Sequence, residues 1–280
     1  MATASVRPAP DFLLVGAKRG GTTSAYFHIL SHPQVLPLFP SARLIPKGRN
    51  TKGTHYFASE FDRGPIWYAS HFPTRFRRAM ARRSSGRTVV AGEASPYYLF
   101  HPSAAARAFA AVPDAKILIA LRDPVERTYS AYREQVRNGV ETLPFQAALD
   151  AEAARVRGEE QRLRDDPDYY SFAHEFQSYA AQSEYAASLG RWFASFPREQ
   201  IHVWASEDYY ADADATVRQI CDFLGLSVQG LPTIEPLNAA PQASLDAGLR
   251  SELVDRFRGD VALTEKLLGR SMPWPNFALA

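Results

Sequence analysis

Two cations inside a glycine-rich turn are the first residues of this chain whose types and spacing suggest chemistry. Lys18 and Arg19 lie in the turn GAKRGG, residues 16 to 21, between an apolar run at 12 to 15 and a helical pattern that begins at Thr22. Glycines allow backbone N–H groups to approach an anion, and the N-terminus of a helix adds a positive partial charge. The segment therefore predicts a strand, a phosphate-binding turn and a helix.

This turn differs from the phosphate loop of ATP-binding proteins, which reads G-x-x-x-x-G-K-[ST]. Gly16 and Gly21 have the required spacing, but Thr22 occupies the position of the lysine. The cations lie inside the turn instead. A turn whose glycines only allow close packing, with solvated basic residues, is the alternative at this point.

A second group of possible anion ligands follows another apolar run. Residues 116 to 121 are almost wholly apolar, which predicts a strand covered on both faces, and Arg122 follows directly. Ser130 lies eight residues further on, in a helix predicted to begin at Asp123 and Pro124. The guanidinium and the hydroxyl could donate to one anion, although Ser130 could equally be a helix-surface residue.

Together, the two sites suggest a nucleotide with phosphates at both its 5′ and 3′ positions. One turn would hold one phosphate, and the Arg122 and Ser130 pair would hold the other. No acidic residue is evidently placed beside the turn to hold Mg²⁺. We therefore expect no metal site and a metal-free reaction.

Apolar runs alternate with helical patterns along the chain. Strands are predicted at residues 12 to 15, 88 to 91, 116 to 121 and 201 to 205. Helices are predicted at 65 to 83, 102 to 111, 124 to 137 and 212 to 224, with a mostly helical stretch at 143 to 196 and two short segments near the C-terminus. Such alternation is typical of a three-layer α/β fold with a mainly parallel sheet. Ligands of these sheets bind at the carboxyl ends of strands, and Lys18, Glu93 and Arg122 each follow a predicted strand.

Length and composition limit the possible classes of protein. The 280 residues suit one sizeable domain, predicted at 11 to 280 after a flexible tail at 1 to 10. A net charge of only +2 argues against a nucleic-acid partner. No apolar run approaches the length of about 18 residues that a membrane span needs, and the N-terminus does not resemble a signal peptide. We therefore expect a cytoplasmic location. Cys221 stands alone, so no internal disulfide or zinc cluster is expected.

Two segments could cover a bound ligand. The loop at 37 to 54 is rich in proline and glycine and carries four cations and no acid: Arg43, Lys47, Arg49 and Lys52. It could be a lid over anionic ligands or a flexible surface loop. A helical insert at about 143 to 183 contains Tyr169, Tyr170 and Phe172. These aromatic residues could shape an acceptor pocket, or the insert could be an exposed connection.

The motifs resemble those of sulfotransferases that use 3′-phosphoadenosine 5′-phosphosulfate (PAPS), in particular the heparan-sulfate N- and 3-O-sulfotransferase branch and its bacterial relatives. The resemblance covers about residues 11 to 227. It is carried by VGAKRGGTT at 15 to 23 and LRDPVERTYSAY at 121 to 132, with support from KGTHYF at 52 to 57, GEASPYY at 92 to 98 and FLGL at 223 to 226. It implies a sulfotransferase fold, which is similar to that of P-loop NTPases.

The resemblance also implies roles for individual residues. Lys18 would stabilise charge on the leaving phosphate as the S–O bond breaks. Arg122 and Ser130 would hold the 3′-phosphate. The 5′-phosphate would be held by Arg19, Gly20, Gly21, Thr22 and Thr23. The implied reaction is in-line transfer of a sulfuryl group from PAPS to a hydroxyl or amine of a small-molecule or glycan acceptor, with 3′-phosphoadenosine 5′-phosphate (PAP) as the second product.

The chain departs from the family at the catalytic base. The glutamate that serves as base in that branch corresponds to Gly53 here. His55 and Glu93 are the remaining candidates, because an imidazole titrates near neutral pH and the carboxylate is predicted at the ligand edge of the sheet. His55 could instead pack against its aromatic neighbours, and Glu93 could be structural. The acceptor could also be an acidic phenol or an amine that needs little help. Ala94 stands where heparan-type enzymes carry a lysine, which argues against heparan as the acceptor.

Two other functions remain as alternatives from sequence. One is a kinase or NTPase, which the absence of a lysine after Gly21 disfavours. The other is a PAPS-binding protein that has lost catalysis, for which the glycine at the base position is the argument. The oligomeric state is not predicted.

Overall fold

Five parallel strands form the centre of the molecule. The computed structural model describes residues 7–39, 52–229, 231, 233 and 245–278. The strand order is β2-β3-β1-β4-β5, and every neighbouring pair is parallel. The strands are β1 (Phe12–Gly16), β2 (Val35–Leu36), β3 (Val90–Ala94), β4 (Lys116–Leu121) and β5 (Ile201–Ala205). The predicted α/β class with a parallel sheet is therefore confirmed.

Twelve α-helices occur in the described part of the chain. They are α1 (Thr22–Ser31), α2 (Gly64–Ser70), α3 (Arg75–Ser85), α4 (Ala104–Ala111), α5 (Pro124–Arg137), α6 (Phe145–Arg155), α7 (Glu159–Asp165), α8 (Phe172–Phe176), α9 (Tyr185–Ser195), α10 (Ser206–Ala211), α11 (Ala213–Leu224) and α12 (Ala247–Leu268). Short 3₁₀ turns cover Phe61–Arg63, Ala181–Ser183, Arg198–Gln200 and Pro275–Phe277.

Two hydrophobic clusters cover the two faces of the sheet. Side chains alternate along a strand, so Leu13 and Val15 of β1 enter one cluster and Phe12 and Leu14 enter the other. The first cluster includes side chains of α4, α9 and α12, and the second includes side chains of α1 and α11. All five residues of β1 are buried. The central strands are thus covered on both sides, as the apolar runs indicated.

The start of α5 follows its sequence signals. Asp123 is the N-cap, and its Oδ1 accepts hydrogen bonds from the backbone N–H groups of Val125 (2.9 Å) and Glu126 (3.3 Å). Pro124 is the first helical residue. Asn276 donates a further hydrogen bond to Asp123 Oδ2 through its side-chain amide, at 2.9 Å. The residue after β4, Arg122, is thereby fixed between a buried strand and a capped helix.

Several predicted elements differ from the structure. The short edge strand β2 was not predicted, because two residues carry no measurable periodicity. The helix expected at 65 to 83 is divided into α2 and α3, because Pro73 interrupts it and Thr74 caps the second part. The two short segments expected near the C-terminus are one 22-residue helix, α12.

The second predicted strand is displaced, and this changes the position of a candidate residue. The strand predicted at 88 to 91 is β3, Val90–Ala94. Glu93 therefore lies inside the strand rather than beyond its end, and the expectation that it follows the strand was wrong. Residues 40–51, most of the predicted basic loop, lie outside the described residues, as do residues 1–6 of the predicted tail.

Candidate active site

The glycine-rich turn connects β1 to α1 at the carboxyl edge of the sheet. The backbone N–H of Ala17 donates to the carbonyl of Ala120 in β4 at 2.7 Å, which holds the turn against the neighbouring strand. A Cβ atom on Gly20 would lie 2.7 Å from the same carbonyl oxygen, so a side chain there would collide with backbone. Gly21 precedes α1 with φ of 74°, in the left-handed region that favours glycine. The turn thus depends on its glycines for conformation and for close approach.

Lys18 is paired with a residue of the helical insert. Its Nζ lies 3.2 Å from Glu175 Oε1 and 3.2 Å from the Glu175 carbonyl oxygen. The same ammonium lies 3.8 Å from the centre of the Phe176 ring. Burial lowers the pKa of Lys18, while the negative charge of Glu175 and its hydrogen bond oppose that shift. A cation with these partners lies in a largely dry site, where its charge acts strongly on a neighbouring anion.

Arg19 connects the turn to α5. Its Nε donates to Ser130 Oγ at 3.1 Å, and its NH1 lies 2.6 Å from Glu134 Oε1. The NH1 of Arg122 lies 3.5 Å from the Arg19 carbonyl oxygen. The structure therefore brings the two residues predicted for a 3′-phosphate, Arg122 and Ser130, to one residue of the predicted 5′-phosphate turn.

Lys52 supplies another cation to the same turn. Its Nζ donates to Thr23 Oγ1 at 2.8 Å, and its carbonyl accepts a hydrogen bond from the Ala94 N–H at 2.7 Å, at the end of β3. Burial lowers the pKa of Lys52 to about 8; the negative charge of Glu134 opposes this shift, and the nearby cations Arg19 and Lys18 add to it. The sequence indicated Lys52 as one cation of a basic loop and as the first residue of the motif at 52 to 57, but gave it no role at the turn.

Arg127 fixes the turn from beneath. It is 1% exposed and donates to the Lys18 carbonyl (2.9 Å), the Tyr179 carbonyl (2.7 Å) and Gln182 Oε1 (2.8 Å). Burial lowers its pKa to about 10, so it remains charged at neutral pH. Sequence reasoning missed this residue, although a charge on the inward face of the amphipathic helix α5 was a possible signal.

Gly53 occupies a position where no side chain fits. A Cβ atom would lie 2.3 Å from the carbonyl oxygen of Ala94 and 2.3 Å from Ser95 Oγ. Real Cβ atoms do not approach backbone this closely, so the segment after residue 51 packs into the space that a side chain would need. The present backbone therefore has no room for the glutamate that the resemblance implies at this position.

We expect Gly53→Ala to lower the free energy of unfolding by about 1–3 kcal/mol, because the added methyl group overpacks a contact with β3. The matched control is Gly190→Ala in α9, where nothing lies within 4 Å of the new Cβ. That change should raise the free energy of unfolding by about 0.5–1 kcal/mol, since alanine favours a helix over glycine. Urea denaturation of both variants measures the difference, and equal stability of the two would contradict the close contact.

Glu93 is enclosed by hydrogen-bond donors. It is 0% exposed. Its Oε2 accepts from the Thr54 N–H at 2.6 Å, the Thr54 hydroxyl at 2.9 Å and the Ser95 hydroxyl at 2.8 Å. Its Oε1 accepts from the Tyr98 hydroxyl at 3.2 Å. The carboxylate therefore ties the segment from residue 52 onward to β3.

His55 follows in the same segment with an unusual backbone conformation. Its φ is 56°, in the left-handed region, and its N–H donates to Ser95 Oγ at 3.0 Å. The residue is half-buried. Within the described part of the chain its imidazole has no hydrogen bond, and its ring does not stack on the adjacent Tyr56 or Phe57, which pack on each other and on Tyr68.

Comparison with known proteins identifies the family. A family model described as Sulfotransferase family matches residues 10–230. The chain belongs to this sulfotransferase family. A sulfotransferase structure from Alicyclobacillus acidocaldarius shares 33% identity over 95% of this chain and 98% of its own, with a TM-score of 0.64. The predicted sulfotransferase resemblance and fold are confirmed.

Two curated relatives add to this comparison. The membrane-associated sulfotransferase kil1 of Dictyostelium discoideum is 25% identical over 95% of this chain and 67% of its own length. Mouse bifunctional heparan sulfate N-deacetylase/N-sulfotransferase 4 is 26% identical over 78% of this chain, which corresponds to 22% of that protein. The chain thus spans about a fifth of the length of the second relative. None of the helices within the described ranges has the length and apolar character needed to cross a bilayer.

Proposed function

We propose that this sulfotransferase moves a sulfuryl group from PAPS to a hydroxyl or amine of a small-molecule or glycan acceptor. The observation that supports the proposal most directly is the convergence of Lys18, Arg19, Ser130 and Arg122 on one glycine-rich turn. Charge-assisted hydrogen bonds from such donors are the strong ones for phosphate, and two separated phosphates need two groups of them. An ordinary triphosphate loop, in contrast, needs the lysine that Thr22 replaces.

Each residue of the turn has a proposed role in binding. Backbone N–H groups from Arg19 to Thr23 would hold the 5′-phosphate at the N-terminus of α1, where the helix dipole favours an anion. These N–H groups include those of Gly20 and Gly21, and the Thr22 and Thr23 hydroxyls would donate to the same phosphate. Arg122 and Ser130 would donate to the 3′-phosphate. The Arg19 guanidinium has five N–H donors, so it would donate to the nucleotide beside its pair with Glu134.

The proposed reaction is an in-line displacement at sulfur. PAPS supplies the activated sulfuryl group, and the protein positions it and stabilises the charge that develops. Lys18 would neutralise the charge that appears on the 5′-phosphate as its bond to sulfur breaks. A base must take the proton of the acceptor hydroxyl. Sequence reasoning proposed His55 and Glu93, but Glu93 is 0% exposed and both of its oxygens accept hydrogen bonds from the protein. No metal is required in this scheme.

Calorimetric titration tests the proposed donor. We expect PAP to bind without Mg²⁺ and more tightly than AMP, because only PAP fills both phosphate sites. ATP is the competing ligand, and it should bind weakly with or without Mg²⁺. Release of PAP from PAPS in the presence of an acceptor, followed chromatographically, tests the transfer. Preferential binding of Mg-ATP would overturn the proposal in favour of a nucleoside triphosphate site.

The lowered pKa of Lys52 predicts proton uptake on nucleotide binding. At about pH 8.5, nucleotide phosphates are fully ionised, whereas much of Lys52, with its pKa of about 8, is neutral in the free protein. An anion beside the amine favours its charged form, so binding of PAP should take up protons. PAP binding should also weaken as the pH rises above the Lys52 pKa of about 8. Calorimetry in two buffers of different ionisation enthalpy measures this uptake.

Lys52→Arg is the control for this prediction, because arginine stays charged over the same pH range. The variant should bind PAP with less proton uptake than the wild type at the same pH. Lys18 also has a lowered pKa, so the comparison of the two proteins isolates the part that belongs to Lys52. Identical proton uptake in both would assign the effect elsewhere.

A further inference from the structure

The carboxylate of Glu175 lies at the centre of the candidate active site, although it comes from the insert and matches none of the family motifs. We propose that Glu175 is the base that accepts the acceptor's proton, and that the acceptor is a phenol held against the aromatic side chains around α8. This inference rests on the proposed sulfuryl transfer and assigns two things that the transfer leaves open. They are the proton acceptor and the class of acceptor.

The Glu175 carboxylate lies close to the residue proposed to act on the leaving group. Glu175 Oε1 lies 3.2 Å from Lys18 Nζ, and Lys18 is the residue proposed to face the breaking S–O bond. A base must lie within hydrogen-bond reach of the hydroxyl that attacks sulfur. The backbone that carries this carboxylate is held as well, because the side-chain amide of Gln182 donates to the Glu175 backbone carbonyl at 2.9 Å. Glu175 thus has both a fixed position and a partner at the reacting group.

Two of the other positions considered for the base are closed to an acceptor hydroxyl. Glu93 is fully buried, and both of its oxygens accept hydrogen bonds from protein donors, so an acceptor hydroxyl cannot reach it. The position of the family's base is filled by backbone at Gly53. Glu175 is also buried, at 7% exposed, but its Oε1 lies 3.2 Å from the Lys18 ammonium, on the side of the proposed reacting group. Burial raises the pKa of Tyr170, and the charge of Glu175 and a hydrogen bond to it raise that pKa further.

The surroundings of Glu175 favour a flat, apolar acceptor. Tyr170 is 42% exposed and Phe172 is 46% exposed, so both present large apolar surface to solvent. The ring of Phe172 lies 5.0 Å from that of Phe176, which in turn lies against Lys18. Small-molecule sites are lined largely by aromatic and other apolar side chains. A phenol ring would stack on it with its hydroxyl directed at Glu175.

The proposed step transfers a sulfuryl group to the phenol oxygen and a proton to Glu175. The acceptor oxygen forms a bond to sulfur, and its proton passes to the Glu175 carboxylate. The bond between sulfur and the 5′-phosphate oxygen breaks, and that oxygen keeps the electron pair as PAP leaves. Lys18 stabilises the added charge. The products are the aryl sulfate, PAP and protonated Glu175, which returns its proton to solvent.

The test compares Glu175→Gln with the wild type on a series of substituted phenols, from 4-methoxyphenol to the much more acidic 4-nitrophenol. PAP formation is measured at saturating PAPS. We expect the variant to lose about 10²–10³-fold in rate with 4-methoxyphenol, which needs a base. With 4-nitrophenol, whose hydroxyl ionises without help, the loss should be less than about tenfold, because general base catalysis then contributes little.

Other results would overturn the proposal. An equal loss with every phenol would mean that Glu175 only positions Lys18, since stabilisation of the leaving PAP does not depend on the acceptor. Turnover with sugar or alkyl alcohols but with no phenol would overturn the acceptor class. If the wild type neither binds PAP nor releases it from PAPS, the proposed function itself fails.

Two further variants complete the design. Glu134→Gln removes a different carboxylate of the site, which pairs with Arg19 and not with Lys18. It should change PAP affinity and leave the dependence on phenol acidity as in the wild type. Glu175→Asp keeps a carboxylate at the site and should recover part of the rate with 4-methoxyphenol. PAP binding by each variant shows that the site is folded, and failure of Asp to exceed Gln would count against a role as base.

Discussion

Lys18→Ala is expected to lower the rate of sulfuryl transfer by about 10²–10³-fold, the usual effect of removing one donor that stabilises charge in the transition state. PAP affinity should change by less than about tenfold, because the backbone N–H groups of the turn and the cations around it still hold the phosphates. The reason lies in the position of the ammonium. It is buried between Glu175 and Phe176, inside the turn rather than at its rim.

Single-turnover kinetics separates these two effects. The variant and the wild type are each loaded with PAPS, and the rate of the chemical step is measured apart from binding. Calorimetry with PAP gives the affinity. Arg133→Ala, which removes an exposed cation of α5, is the control and should leave both quantities unchanged. An unchanged rate in Lys18→Ala would remove Lys18 from the mechanism.

Arg122→Ala is expected to weaken PAP binding by about 10- to 100-fold, since a hydrogen bond to a charged group contributes about 1.5–3 kcal/mol. AMP, which lacks the 3′-phosphate, should bind the variant and the wild type equally. The difference follows from the place of Arg122 at the end of β4, with its guanidinium beside Arg19. Its carbonyl accepts a hydrogen bond from the Tyr185 hydroxyl at 2.8 Å, so removal of the side chain leaves the backbone held.

The measurement is a pair of titrations, PAP and AMP, on each protein. Ser130→Ala provides an independent variant of the same proposed site and should produce a smaller change in the same direction. An equal loss of affinity for PAP and AMP would contradict the assignment of Arg122 to the 3′-phosphate. It would place the guanidinium on the part of the nucleotide that both ligands share.

Features specified by local sequence were predictable. The apolar run before the turn, the glycines and the start of α1 are adjacent in the chain, and their order alone indicated a strand, a turn and a helix. The same holds for β4, Arg122 and the Asp123 cap of α5. In each case a strand, a turn and a helix start follow one another within about 20 residues, so propensity and capping chemistry determine the outcome.

The partners of the cations were not predictable, because they come from distant parts of the chain. Glu175 is 157 residues from Lys18, and Glu134 is 115 residues from Arg19. No spacing rule links such residues, and α8, which carries Glu175, has only five residues. The meaning of Gly53 also required the structure. The resemblance implies a base at this position, where the chain has glycine, and the packing shows that Ala94 and Ser95 fill the space of a side chain.

One buried guanidinium links the glycine-rich turn to the helical insert. Arg127 donates both to the Lys18 carbonyl and to Gln182, which in turn holds the Glu175 carbonyl. Separation of the turn from the insert would take away at least one acceptor of this buried charge, and a hydrogen bond to a charged group contributes about 1.5–3 kcal/mol. Local unfolding of either segment is therefore coupled to the other. Fluctuations of the native protein should therefore open the glycine-rich turn and the helical insert as one cooperative unit. No partly open form should then expose a bound, activated nucleotide to water while Glu175 is displaced.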